Sequence, residues 1–172
     1  MLQRFFAFSI ILMISGCATY APSLPENYSG PTALVEDSAK VHSNSKADFF
    51  VVNEVDGAEI DNSMGETFRR NYGRGMSMTP YYLNRRIVAE KPLKLTVLGR
   101  TVYAAPILAF TNKVYQIKGV VEFVPKANVN YIVRGELSQS HSSVWVEEVA
   151  DNSIVGNKIE VHGSTELGFF VK

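Results

Sequence analysis

Short runs of alternating apolar and polar residues, separated by brief polar turns, dominate the chain beyond residue 45. Leu93, Leu95 and Val97 alternate with Lys94 and Thr96, and Tyr131, Val133 and Leu137 alternate with Arg134 and Glu136. Val144 and Val146 fall on the face opposite Trp145 and Glu147. A period of two is that of a strand with one buried face. Phe49-Phe50-Val51-Val52 leads into Val55, and Asp56-Gly57 then precedes Ala58-Glu59-Ile60. Asp-Gly at that place is a two-residue hairpin signal, because a type I′ turn needs positive φ at both central residues. Val120–Val124 is a further run, and Pro125-Lys126-Ala127-Asn128 reads as the turn of a hairpin spanning Val120–Leu137. Asp151-Asn152-Ser153 turns the chain into Ile154-Val155, and Leu167, Phe169 and Val171 close it. Such runs, a dozen or so residues apart, fit a β-sandwich better than an α/β fold.

Helical periodicity is sparse. Ser63-Met64-Gly65-Glu66 has the form of a capping box, Phe68 and Tyr72 stand four apart, and Gly73 is a helix stop. That predicts two or three turns. The rest of 62–82 reads as a long connection, and such connections in compact domains are often functional or mobile. The expected fold is all-β: a single antiparallel β-sandwich over residues 32–172, with at most one short helix.

The N-terminus follows another pattern. Met1-Leu2-Gln3-Arg4 carries one positive charge, and Phe5–Ile14 carries none. This apolar stretch is half the ~20 residues a membrane-spanning helix needs. With the small residues Ser15-Gly16 after it, it has the parts of a secretory signal. Ile14-Ser15-Gly16-Cys17 resembles the lipobox of bacterial lipoproteins: aliphatic, small, small, cysteine. All four positions match, with Ile where Leu is most usual. The resemblance implies that residues 1–16 are a cleaved signal peptide, that the Cys17 thiol receives a diacylglyceryl group, and that the new amino terminus is then acylated. Each buried CH₂ contributes ~0.8 kcal/mol, so three chains on one residue would hold the protein at a membrane. An Asp after the cysteine favours the inner membrane in that family. Ala18 stands there instead, which implies the periplasmic face of the outer membrane. Residues 17–31, with Pro22, Ser23, Pro25, Asn27, Ser29 and Gly30 and no apolar period, read as the lipidated cysteine and a flexible tether.

Charge narrows the function classes. The full chain has 17 basic and 17 acidic side chains. That balance argues against non-specific nucleic-acid binding, which wants a basic surface. Cys17 is the one cysteine, so no internal disulfide can form and stability must come from packing.

Catalytic signals are weak. His42, His141 and His162 have no second His or Cys at metal-ligand spacing, so no metal or cofactor is expected. Ser140-His141-Ser142-Ser143 sets hydroxyls beside an imidazole but reads as a polar turn, and there is no G-x-S-x-G elbow. Gly73-Arg74-Gly75 is not a phosphate loop, because no Gly-Lys-Ser/Thr follows. Trp145 takes the face opposite Val144 and Val146, either filling a sandwich layer or standing exposed, and the core is the expected place. The richest cluster is basic and aromatic: Arg69, Arg70, Arg74, Arg85 and Arg86, with Tyr72, Tyr81 and Tyr82 interleaved. Arginine and tyrosine are enriched at binding hot spots, and arginine suits carboxylate or phosphate. Arg69, Arg70, Arg74, Tyr81, Tyr82, Arg85 and Arg86 are therefore the candidate anion- or partner-binding residues. The bland alternative is a solvated loop whose arginines pair with Glu54, Asp56, Glu59 or Asp61.

The order of parts is also similar to small periplasmic lipoproteins with a transthyretin-like or carboxypeptidase-regulatory-like β-sandwich. The features that carry this are the strand ending Val55-Asp56-Gly57, the strand Leu93–Leu98, Pro125-Lys126-Ala127-Asn128, and Val144-Trp145-Val146-Glu147-Glu148, over residues 46–156. The resemblance implies a fold and transfers no catalytic residue. The sequence thus leads to a non-catalytic structural or interaction module, lipid-anchored in the bacterial envelope, with an envelope protein as partner. A periplasmic carrier of a small hydrophobic ligand is the alternative, and an envelope hydrolase is disfavoured. A large apolar pocket would favour the carrier, and a flat patch bearing the Arg/Tyr cluster would favour the partner surface.

Overall fold

The structure, a computed structural model, describes residues 20–172. Cys17 and residues 1–16, the stretch read above as a signal peptide, lie outside the described residues. In chain order the elements are β1 (Thr32–Glu36), β2 (Ser38–Ser43), β3 (Lys46–Val55), β4 (Ala58–Glu59), α1 (Ser63–Asn71), β5 (Asn84–Val88), β6 (Leu93–Tyr103), α2 (Pro106–Thr111), β7 (Gln116–Phe123), β8 (Asn130–Leu137), β9 (His141–Glu148), β10 (Ile154–His162) and a 3₁₀ turn, Phe169–Val171. One sheet runs β10-β9-β8-β1-β5. The other runs β2-β3-β6-β7, with β4 folded back on β3. Every strand pairing is antiparallel except β1 with β8, where Leu34 stands beside Asn130 and Glu36 beside Ile132.

The two sheets pack face to face, and the fold is the expected all-β sandwich. The inward positions of the alternating runs form one cluster: Val35, Phe50, Val52, Ile87, Leu95, Val97, Val121, Tyr131, Val133, Val144 and Val146. Fully burying a side chain of this kind contributes ~1.5–3 kcal/mol. Phe50 lies in the middle of this layer, and room for its ring exists because positions 99 and 135 are glycine. At one edge β10 bulges between Val155 and Ile159 and lies against β7, where the Asn157 amide donates to the Val120 carbonyl at 3.0 Å.

At the opposite edge the joint is polar. Asp37, between β1 and β2, accepts from the Val52 and Ser63 backbone N–H groups at 2.9 and 2.8 Å. It also accepts both arms of the Arg85 guanidinium at 2.9 and 2.8 Å. Its carboxylate is fully buried. One side chain therefore ties β3, the start of α1 and β5 to the corner.

Several local readings change. The segment 120–137 is not a hairpin: β7 and β8 belong to different sheets, so Pro125–Val129 carries the chain across the sandwich. Leu167, Phe169 and Val171 do not form a strand: Leu167 precedes the 3₁₀ turn, and Phe169 and Val171 lie in it. Ser140-His141-Ser142-Ser143 is no turn, because β9 begins at His141. Trp145 lies on the outer face of its sheet, half-buried, with Lys158 Nζ 4.8 Å from its ring and its indole N–H donating to Glu147 at 2.8 Å. The inward positions of β9 belong to Val144 and Val146, and odd-numbered neighbours must point away. The cap of α1 is Asn62, whose side chain accepts from Gly65 N at 3.0 Å. Ser63 is buried instead and accepts from Leu83 N at 2.7 Å. Within the stretch read as a tether, Ala21 N donates to Glu59 O and Ser23 Oγ to Arg86 O, both at 2.8 Å, so these residues lie against the domain.

Candidate functional site

The second sheet is apolar on its outer face as well. Ala47, Phe49 and Val51 of β3 and Leu98 and Val102 of β6 form a separate buried cluster there, with Met78. A strand buried on both faces reads as a continuous apolar run, as Phe49-Phe50-Val51-Val52 does. Two pieces of chain cover this face in part. On one side Met64 of α1 packs onto it. The chain then turns away through Tyr72–Pro80, where Gly73 and Gly75 adopt φ of 81° and 67°. Asn71 staples that turn: its amide donates to Thr67 O and Thr79 O at 2.8 and 2.9 Å, and its oxygen accepts from Thr79 N at 2.9 Å. On the other side lies α2, with Pro106 at its first turn, a favoured place for proline. The Phe169 ring packs 5.4 Å from that of Phe110 in α2.

Between the two covers a groove of about 700 Å³ stays open over the end of β6. That is the size of a small-molecule site, for which 300–1,000 Å³ is usual. Phe68, Met78, Val102, Ala109 and Val114 line it, with Arg100 among them. Two of the lining residues are exposed apolar side chains: Phe68, and Tyr72 at 93%. Exposed apolar side chains scattered singly are ordinary, whereas ones that border an apolar groove favour a binding surface. Arg100 is drawn below the ordinary guanidinium range by burial. The Tyr103 hydroxyl, which donates to Lys113 O at 3.1 Å, is pushed above the usual phenol range by burial and by the nearby Asp48 charge.

The sequence-derived Arg/Tyr cluster is placed differently. Arg69 pairs with Asp61 and Glu66, and Arg70 with Glu66, while the Arg70 guanidinium stacks 3.7 Å from the Tyr81 ring centroid. These contacts hold the Glu66 carboxyl below the usual range, chiefly through Arg69 and then Arg70. Arg74 donates to Asn71 Oδ1 at 3.0 Å. Arg85 is buried on Asp37, on a different element and facing inward. Arg86 and Tyr82 are exposed. So Arg69, Arg70 and Tyr81 come together around α1 with their charges neutralised, and Arg85 serves the corner joint. Cys17, expected from the sequence to be lipidated, lies outside the described residues.

His141 and His162 stack with ring centroids 5.2 Å apart, and His141 lies 3.4 Å from Glu160. His42 Nε2 lies 2.6 Å from Asp48 Oδ2, and Thr101 Oγ1 donates to the other oxygen at 2.7 Å. Among the described residues no three His, Cys, Asp or Glu side chains converge as a metal-ligand set. No helix among them is long and apolar enough to cross a membrane. Compared with protein-family models, with curated proteins and with solved structures, the chain matches none.

Proposed function

We propose that the chain is a non-catalytic binding module, lipid-anchored in the bacterial envelope, that holds a small apolar ligand in the groove over β6. The observation that carries this is the groove itself: about 700 Å³, apolar on several walls, with the exposed Phe68 and Tyr72 among the residues that line it. Burying apolar surface is the dominant favourable term in association, ~25 cal/mol per Å² removed from water, and this face offers such surface at no cost to the core. The Arg/Tyr cluster is the weaker candidate, because Arg69 and Arg70 already have carboxylate partners and exposed ion pairs offer a new partner little. Ile14-Ser15-Gly16-Cys17 supports the anchor, which would keep the groove near a bilayer and its apolar molecules.

Native mass spectrometry of the full chain released from envelopes tests the groove. Wild type is expected to carry one small lipid-sized adduct besides its own acyl chains. Ala109→Trp, which fills the groove, is expected to lose it. An adduct retained by the variant, or absent from both, contradicts the proposal. The anchor is tested separately: metabolic labelling with a palmitate analogue is expected for wild type and not for Cys17→Ser, and equal label on both would rule it out.

A further inference from the structure

The groove has apolar walls but one charge on its floor. Arg100 lies two residues from both Leu98 and Val102 along β6 and shares their face, so its side chain leaves the sheet on the groove side. Its Nη1 donates to Gln116 Oε1 at 2.7 Å, across the β6–β7 pair. A guanidinium has five N–H donors. Among the described residues this is the one side-chain hydrogen bond Arg100 makes, and no carboxylate pairs with it. The other described arginine with restricted exposure does have a carboxylate: Arg85 has Asp37. Lys172, the second cation at the groove, has its Nζ on Asn112 O at 2.8 Å and near Glu166 at 3.9 Å. Burial bears on the unpaired Arg100, whose pKa it lowers. Taking a charge out of water is costly unless an anion compensates it.

The geometry points to an amphiphile with a single carboxylate head and an apolar chain, a fatty acid in chemical class, as the occupant of the groove. This rests on the groove being the ligand site, as proposed above. The head would sit on the planar fork of Arg100, which matches a carboxylate with two parallel hydrogen bonds. The chain would run over Met78, Val102, Ala109 and Val114 toward Phe68 and Tyr72 at the rim. A phosphate monoester carries nearly two charges and asks for more than one cation. Only Arg100 is unpaired here, which favours the monoanion.

The test uses the full chain in discs of neutral phosphatidylcholine, with photoactivatable hexadecanoic acid, hexadecanol and hexadecyl phosphate as probes. Crosslinks are located by peptide mass spectrometry. The acid should label the 100–114 segment about tenfold more than the alcohol, since a hydrogen-bonded charge is typically worth that factor or more. Arg100→Gln should remove the acid's advantage and keep the alcohol labelling, which also reports that the groove is intact. Arg100→Lys, which keeps the charge but not the fork, should fall between them. Equal labelling by acid and alcohol in wild type, or an acid preference unchanged in both variants, overturns the head-group assignment and leaves the ligand site standing. Stronger labelling by the phosphate overturns the carboxylate. If none of the probes labels the groove, both the occupant and the ligand site are wrong.

Discussion

The second sheet presents two apolar faces, and they are finished in opposite ways. Its inner face, with Phe50, Val52, Leu95 and Val97, meets the whole of the other sheet and is sealed. Its outer face, with Phe49, Val51, Leu98 and Val102, meets only a nine-residue helix, a turn around Met78 and the short α2. The same residue types therefore serve different ends. On the sealed side they supply stability, and every methylene is felt. On the other side the covering segments keep apolar surface of their own exposed at the groove, at Phe68 and Tyr72, and it is that remainder which a ligand can bury.

The sharpest way to break the sealed side is at its polar joint. Asp37→Ala strands the buried Arg85 and two backbone N–H groups, and should cost ~3–5 kcal/mol, as removing one partner of a buried pair does. Denaturant unfolding measures it. Asp37→Ala combined with Arg85→Met should recover part of the loss, because no unpaired charge then stays inside. Overpacking comes next. A Cβ at Gly135 would lie 2.4 Å from the Phe50 ring and 2.5 Å from the Ser143 carbonyl, so Gly135→Ala should cost ~1–3 kcal/mol in the same assay. On the half-covered side Ala109→Trp should change stability by less than ~1 kcal/mol, the scale of a helix-propensity change, while removing ligand. A large loss of stability there would mean that the groove is core after all.

The smallest effect is electrostatic. Glu66 has a folded pKa below its ordinary value, so its contribution is present above that ordinary value and is lost as pH falls through the lowered one. Thermal midpoints of wild type and Glu66→Gln should thus differ slightly at neutral pH and converge in acid. A difference that grows in acid would reverse the sign and refute the Arg69 and Arg70 pairing as its cause.

Legibility in the sequence follows the same division. β6, β8 and β9 were readable from their alternation toward the inner core, and β3 from the continuous apolar run Phe49-Phe50-Val51-Val52 of a strand buried on both faces. β5 was not, because Arg85 faces inward on Asp37 and an inward charge looks like surface. β2 is an edge strand with four of its six residues exposed, and it has no apolar period. The crossing from β7 to β8 looks like a hairpin turn, since Pro125–Val129 is as short as one. The groove was illegible for a geometric reason: it is assembled from 67–78, 100–114 and the C-terminal residue, and no single segment carries its pattern. Ala104-Ala105-Pro106-Ile107-Leu108-Ala109-Phe110, an apolar run with proline at a helix start, was the local signal for α2. The Arg/Tyr cluster, by contrast, was conspicuous in sequence; Asp61 was among the carboxylates weighed against it, whereas Glu66, which pairs with both Arg69 and Arg70, looked only like part of a capping box.

Hydrogen–deuterium exchange of the full chain in neutral discs, with and without dodecanoic acid, tests the contrast most directly. The expected result is added protection confined to peptides covering Tyr72–Met78 and Ala104–Thr111, with those of β8 and β9 unchanged. Protection spread through β8 and β9, or no ligand-dependent protection in either cover, would contradict the account.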